Sequence, residues 1–140
     1  MTRDEILGLV DRWQRAIAQR DAAGHATLYA DTASLDSPIA GSVVGRDAIL
    51  RVSNAFFAAF PDASFTAGPP LVDGHRVSVL ASVAGTHFGG FMGLEASGKA
   101  FRFEIAFVLE VRDGQIVTER RVYDFTGLLV QIGVLKAKPA

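Results

Sequence analysis

The 140-residue chain reads as one α+β domain, and three features predict this. Apolar residues recur at helical spacing in the first half, two-residue alternation governs the second, and two Asp-Gly pairs mark tight turns between alternating segments. Helices first and strands last place the helices on one face of a long antiparallel sheet. A sheet curled around three N-terminal helices encloses a pocket between the two layers.

Thr2 and Glu5 form a capping-box pattern, and Ile6, Leu7, Leu9, Val10, Trp13 and Ile17 continue it as an amphipathic helix to about Arg20. Asp21 caps a short second helix carrying Ala22, Ala26, Leu28 and Tyr29, weakened by Gly24. Ser34 to Ile39 reads as a short strand stopped by Pro38, and Gly41 to Gly45 as a loop. A third helix starts at Asp47, presents Ile49, Val52, Phe56, Phe57 and Phe60, and ends at Pro61. From Phe65 onward the pattern is mainly strands. Asp73-Gly74 marks one hairpin, after which Val77, Val79, Ala81 and Val83 alternate with polar residues. The glycine-rich stretch Gly85 to Gly98 is a loop or distorted hairpin. The domain spans 1–136, with 137–140 as a loose tail.

Composition excludes several function classes. Lys and Arg number 14 against 15 Asp and Glu, for a net charge of −1, so no basic footprint for nucleic acid is present. With no cysteine there are no disulfides, Cys-ligated metals or Cys nucleophiles. The N-terminus is charged and amphipathic rather than a secretory signal, and no apolar stretch reaches membrane-spanning length, so a cytoplasmic protein is expected. The glycines at 85, 89, 90, 93 and 98 precede no helix start or Lys-Ser/Thr and do not form a phosphate loop.

The hairpin around Asp113-Gly114 carries the chemistry. A two-residue turn pairs Arg112 with Gln115, and counting outward sets Phe107 opposite Arg120, Ile105 opposite Val122 and Phe103 opposite Asp124. Phe101, Phe103, Ile105, Phe107, Leu109 and Val111 share one face, so Asp124 and Arg120 are expected among the phenylalanines. A carboxyl group there must be paired, hydrogen-bonded or neutral, and is a natural proton-transfer group. Two readings compete for Asp124: general acid/base, or an acid neutralised by Arg120, roughly 13 Å away along the same strand. Alternation from Val77 sets His87 on the inner face, either lining the pocket or buried against backbone; His25 and His75 read as surface residues. Arg120 on an apolar face demands an acid, a ligand oxygen or the cavity mouth. Trp13, Tyr29, Phe56, Phe60, Phe91 and Met92 are candidates for an aromatic and apolar wall, with ordinary core packing as the alternative.

The element order, together with GRDAI at 45–49, FFAAFPD at 56–62, GTHFGGFMG at 85–93 and YDFTGLLVQIG at 123–133, resembles the SnoaL-like polyketide cyclases. These belong to the cone-shaped superfamily that includes nuclear transport factor 2, ketosteroid isomerase and limonene epoxide hydrolase. The resemblance implies a curved sheet around a deep pocket, no metal or organic cofactor, and an acid/base role for Asp124 with His87 or Arg120 steadying an oxyanion. It also implies a homo-oligomer, with the outer sheet face as the dimerising surface. The expected ligand is a hydrophobic, oxygen-bearing, polyketide-like small molecule bound by Arg120, Phe103, Phe107 and the aromatic wall, with cyclisation, isomerisation or hydration as the reaction. A non-catalytic binding module of the same fold is the alternative. An epoxide hydrolase-like enzyme would need an Arg-x-Asp where this chain has Arg76-Val77-Ser78.

Overall fold

The computed structural model describes residues 1–136, so the expected tail at 137–140 lies outside the described residues. Helix α1 (Arg3–Ala18) starts on the expected capping box: the Glu5 backbone N–H donates to Thr2 Oγ1 at 3.2 Å and the Thr2 N–H to Glu5 Oε2 at 2.9 Å. It buries Ile6, Leu9, Val10, Trp13 and Ala16 against the sheet. Helix α2 (Ala22–Ala26) is capped by Asp21, which accepts the Gly24 N–H at 2.9 Å. Tyr29 does not extend α2 as expected; it opens β1 (Tyr29–Ser37). Gly41 to Val44 is no loop either, but a short strand β2 (Gly41–Val44) antiparallel to the end of β1. Helix α3 (Arg46–Ala59) follows, and Phe60 closes it before Pro61.

The remaining strands are β3 (Ser64–Ala67), β4 (Leu71–Asp73), β5 (Arg76–Thr86), β6 (Ala100–Arg112) and β7 (Gln115–Tyr123), ending in a short helix α4 (Phe125–Gln131) that the sequence reading did not anticipate. They form one curved seven-stranded sheet in the order β2-β1-β7-β6-β5-β3, with β4 also on β5. The expected α+β class and helix-lined sheet are those observed, except that β1 and β7 run parallel within an otherwise antiparallel sheet. β1 docks on the free edge of the last strand, whose other edge is taken by its hairpin partner β6.

Val77, Val79, Ala81 and Val83 of β5 and the odd-numbered residues of β6 from Phe101 to Val111 are all buried on the inner face, as the alternation predicted. At the β6–β7 turn Arg112 pairs with Gln115, and Asp113 and Gly114 both take positive φ (51° and 79°), a conformation Gly accepts freely and Asp tolerates. Among the described residues no helix is long and apolar enough to cross a membrane.

Candidate active site

The register of β7 departs from the simple hairpin two residues after the turn. Val111 pairs with Ile116 but Glu110 pairs with Thr118, so Val117 is an extra residue, a β-bulge. Because side chains alternate with a period of two, this one residue turns the rest of β7 over. Leu109 now faces Glu119, Phe107 faces Arg121, and Ile105 faces Tyr123. Glu119, Arg121 and Tyr123 point inward, while Arg120, Val122 and Asp124 point out.

The inward stripe meets α2 and β1 in a buried polar cluster. Ala22, His25 and Ala26 recur at i, i+3 and i+4, so His25 belongs to the buried face of α2 and is 2 % exposed, correcting its expected surface position. The Tyr29 hydroxyl donates to Glu119 Oε1, and Arg121 Nε–H donates to Glu119 Oε2 in an ion pair. Trp13 Nε1–H donates to the Tyr29 oxygen at 2.9 Å, and His25 Nε2 lies 3.2 Å from that same oxygen. Tyr29 has one proton, which goes to Glu119, so its oxygen can only accept from the imidazole. The proton of His25 therefore sits on Nε2, and Nδ1 is left as a lone pair, 3.5 Å from Ser53 Oγ.

Burial holds the His25 pKa down to about 4 against the opposing pull of Glu119, with Arg121 adding to the depression. Burial and then Glu119 push the Tyr29 hydroxyl well above its ordinary value, so it stays protonated. Burial would lower the Arg121 pKa, but Glu119 and Tyr29 outweigh it and the net shift is upward. A buried charge of this kind persists only when paired, which Glu119 accomplishes. Arg121 also lies over the Phe107 ring, its Cζ 5.8 Å from the centroid.

A cavity of about 420 Å³ opens beside this cluster, within the range of small-molecule sites. His25, Ser53, Arg121 and Tyr123 supply its polar wall, and Phe56, Phe57, Phe65, Phe91, Phe103 and Phe107 its aromatic one. Among its lining residues only Arg51 and Arg121 carry full charges, both positive. The Tyr123 hydroxyl is 3.3 Å from Ser37 Oγ, and burial raises its pKa.

A family model described as SnoaL-like polyketide cyclase matches residues 8–132, nearly the whole chain. The chain belongs to the SnoaL-like polyketide cyclase family. Similar solved structures include AclR, a candidate hydroxylase from Streptomyces galilaeus (23 % identity, TM-score 0.84, covering 99 % of this chain and 91 % of that one). IdmH, a candidate polyketide cyclase from Streptomyces antibioticus, is 27 % identical with a TM-score of 0.75, covering 91 % and 97 %. A protein with a ketosteroid isomerase-like fold from Catenulispora acidiphila is 20 % identical with a TM-score of 0.76, covering 94 % and 97 %. No curated protein matches the sequence.

Within this SnoaL-like domain the sequence-derived site is partly assembled and partly dispersed. Phe56, Phe91, Met92, Phe103 and Phe107 line the cavity as expected. Trp13 and Tyr29 are buried and hydrogen-bonded within the polar cluster, while Phe60 is core, 0 % exposed and stacked edge-on to Phe56 and Phe101. Asp124 does not face the cavity: it is exposed and caps α4, accepting the Gly127 N–H at 2.8 Å. A Cβ at position 127 would meet the Asp124 carboxyl group, so a larger residue there would push the cap aside. Arg120 is exposed on the outer face opposite Val108, so its expected ligand contact and its pairing with Asp124 both fail. His87 is buried, but in the wall behind Phe91: its Nδ1 accepts the Ser97 N–H at 3.1 Å and its ring packs against Phe60 and Phe91, away from the cavity lining. Tyr123, which a register without the bulge would turn outward, is inside.

Two signals in the sequence pointed to the missed residues. Ile116 and Val117 are consecutive apolar residues directly after the turn, a break in alternation that marks a bulge. The simple register also buries Arg120 without a partner, whereas the bulged one buries Glu119 beside Arg121, two residues on and on the same face.

Proposed function

We propose that this chain is a cyclase- or isomerase-type enzyme that moves a proton at a carbon next to a carbonyl of a hydrophobic, oxygen-bearing small molecule. The observation that carries this reading is the His25 tautomer: Nε2 is committed to Tyr29, and the free Nδ1 lone pair belongs to a residue of the cavity wall. With a pKa near 4, His25 is unprotonated at neutral pH and no stronger a base than a carboxylate, the strength that carboxylate bases bring to enolisation elsewhere. Glu119 occupies the Arg121 Nε–H, so the amino groups at the guanidinium tip are the donors available to a substrate carbonyl as it gains charge. The Tyr123 hydroxyl is the second candidate donor. Ser53 beside Nδ1 orients the imidazole until substrate replaces that contact.

Family membership supports the reaction class, and the aromatic wall supports a ring-containing substrate. The test needs no native substrate: hydrogen–deuterium exchange at the α-carbons of 2-tetralone, followed by NMR, reads the proton transfer directly. Exchange should be catalysed by the wild type and fall at least ~100-fold in His25→Ala. Binding of 2-tetralone with no exchange at all would instead make the domain a non-catalytic binder, and exchange that persists in His25→Ala would remove His25 as the base.

We also propose a homodimer through the outer sheet face, where Leu80, Ala106 and Val122 form one apolar row across β5, β6 and β7, with Leu80 62 % and Val122 53 % exposed. Glu104 and Arg120 share this face with opposite charges, which a two-fold contact can pair. A purely monomeric sedimentation profile at high concentration would remove this proposal.

A further inference from the structure

Behind the main cavity lies a second hollow of about 260 Å³ between α1 and the inner faces of β3 and β5. Ile17, Phe65 and Phe107 line both hollows, so the two share a wall of three apolar side chains. Of the three, Phe65 is half-buried on the short edge strand β3. The second hollow is smaller than the range for whole drug-sized ligands, which suits it to part of a molecule rather than to a separate ligand. Its outer lip is the exposed Arg15–Asp11 ion pair (3.0 Å), and Ala18, also exposed, lies on the same rim.

One polar group inside it is unspent. Gln14 lines the hollow, and its side-chain Nε2 is buried with no hydrogen-bond partner. Buried amide donors are almost always paired, and leaving one unpaired is costly. Trp13, Val79 and Ala81 among its walls carry no side-chain acceptor, and the one carboxylate of the lining, Asp11, is paired with Arg15. A ligand atom that accepts a hydrogen bond at this point would satisfy it.

We infer that the second hollow is an annex of the main cavity that takes a linear apolar arm of the ligand, with an ether or carbonyl oxygen of the arm accepting from Gln14. This rests on the reading that the main cavity holds the carbonyl-bearing ring, and it narrows the substrate class to a ring compound with an oxygen-interrupted side chain. The arm passes the Ile17–Phe65–Phe107 wall and ends beside Trp13.

The probes are alkyl phenyl ketones of increasing chain length, with and without an ether oxygen in the chain, titrated by calorimetry. Once the chain outgrows the main cavity, each further methylene should tighten binding to the wild type about threefold to fourfold. Ala18→Phe, a change at an exposed rim position, should flatten that dependence by plugging the annex. Gln14→Leu should erase an advantage of ~2- to 10-fold for the ether over its all-carbon counterpart. Nuclear Overhauser contacts from the terminal methyl should reach the indole of Trp13, the single tryptophan. Affinity independent of chain length in the wild type, a dependence unchanged in Ala18→Phe, or terminal-methyl contacts to Met92 at the mouth would each overturn the annex. Deuterium exchange of 2-tetralone, which has no arm, reports on the catalytic reading separately.

Discussion

Phe107 stands opposite Arg121 in the β6–β7 ladder, with the guanidinium carbon 5.8 Å from the centre of its ring. The pairing exists because Val117 bulges out of β7, and it carries Glu119 and Tyr123 inward with Arg121. The polar wall of the cavity thus depends on one inserted residue.

Inserting one alanine between Thr118 and Glu119 should shift the strand by one residue, turning Glu119 and Arg121 outward and burying Arg120 opposite Phe107 without a partner, whereas deleting Val117 should close the bulge and leave Glu119 and Arg121 facing inward. An uncompensated buried charge costs roughly 3 kcal/mol or more. Urea denaturation should show a loss of that size or no folded state at all for the insertion and a smaller change for the deletion, and an unchanged midpoint in the insertion would refute the register of β7 as the source of the site.

Glu119 neutralises Arg121 and accepts from Tyr29 at 1 % exposure. Glu119→Gln should therefore destabilise by about 3 to 5 kcal/mol, because it strands the guanidinium. Glu119→Leu combined with Arg121→Met should recover most of that stability, since two apolar side chains need no pairing, yet it should lose 2-tetralone exchange. Recovery of both stability and exchange would show that Arg121 has no part in the chemistry.

Acid should weaken the fold through His25. Its folded pKa of about 4 lies below the ordinary value of 6.5, so the unfolded chain takes up the proton first as pH falls. The His25 contribution is complete above about pH 6.5, declines between 6.5 and 4, and levels off below 4, a total of ~3 kcal/mol. His25→Gln should lack this part of the slope when unfolding is followed across the range, and a parallel slope in the two proteins would argue against a buried neutral imidazole.

Asp124 stabilises by capping. Asp124→Ala should cost about 1 kcal/mol in thermal or urea unfolding, while Asp124→Asn, which can still accept the Gly127 N–H, should cost little. Neither should change 2-tetralone exchange by more than ~2-fold. A large loss of exchange in Asp124→Asn would return this residue to the mechanism.

Local patterns made much of the architecture legible. The capping box at Thr2, the apolar stripes of α1 and α3, the Asp113-Gly114 turn and the alternation of β5 and β6 all stand where the sequence put them, because each is decided by neighbours within a few residues. Tyr29 was misplaced because a five-residue helix has too few positions to show where its stripe ends. The parallel docking of β1 on β7 left no local trace, since it joins segments more than eighty residues apart.

The sequence by itself determined the α+β class, the family, the phenylalanine-lined face of β6 and the aromatic half of the cavity. Only the tertiary structure decided which residues of β7 look into that cavity. A strand's two faces differ by a single residue of register, and the choice between them was made by distant partners: Tyr29 and His25 from the N-terminal half give Glu119 and Arg121 a buried set of hydrogen bonds that Arg120 and Asp124 could not have found.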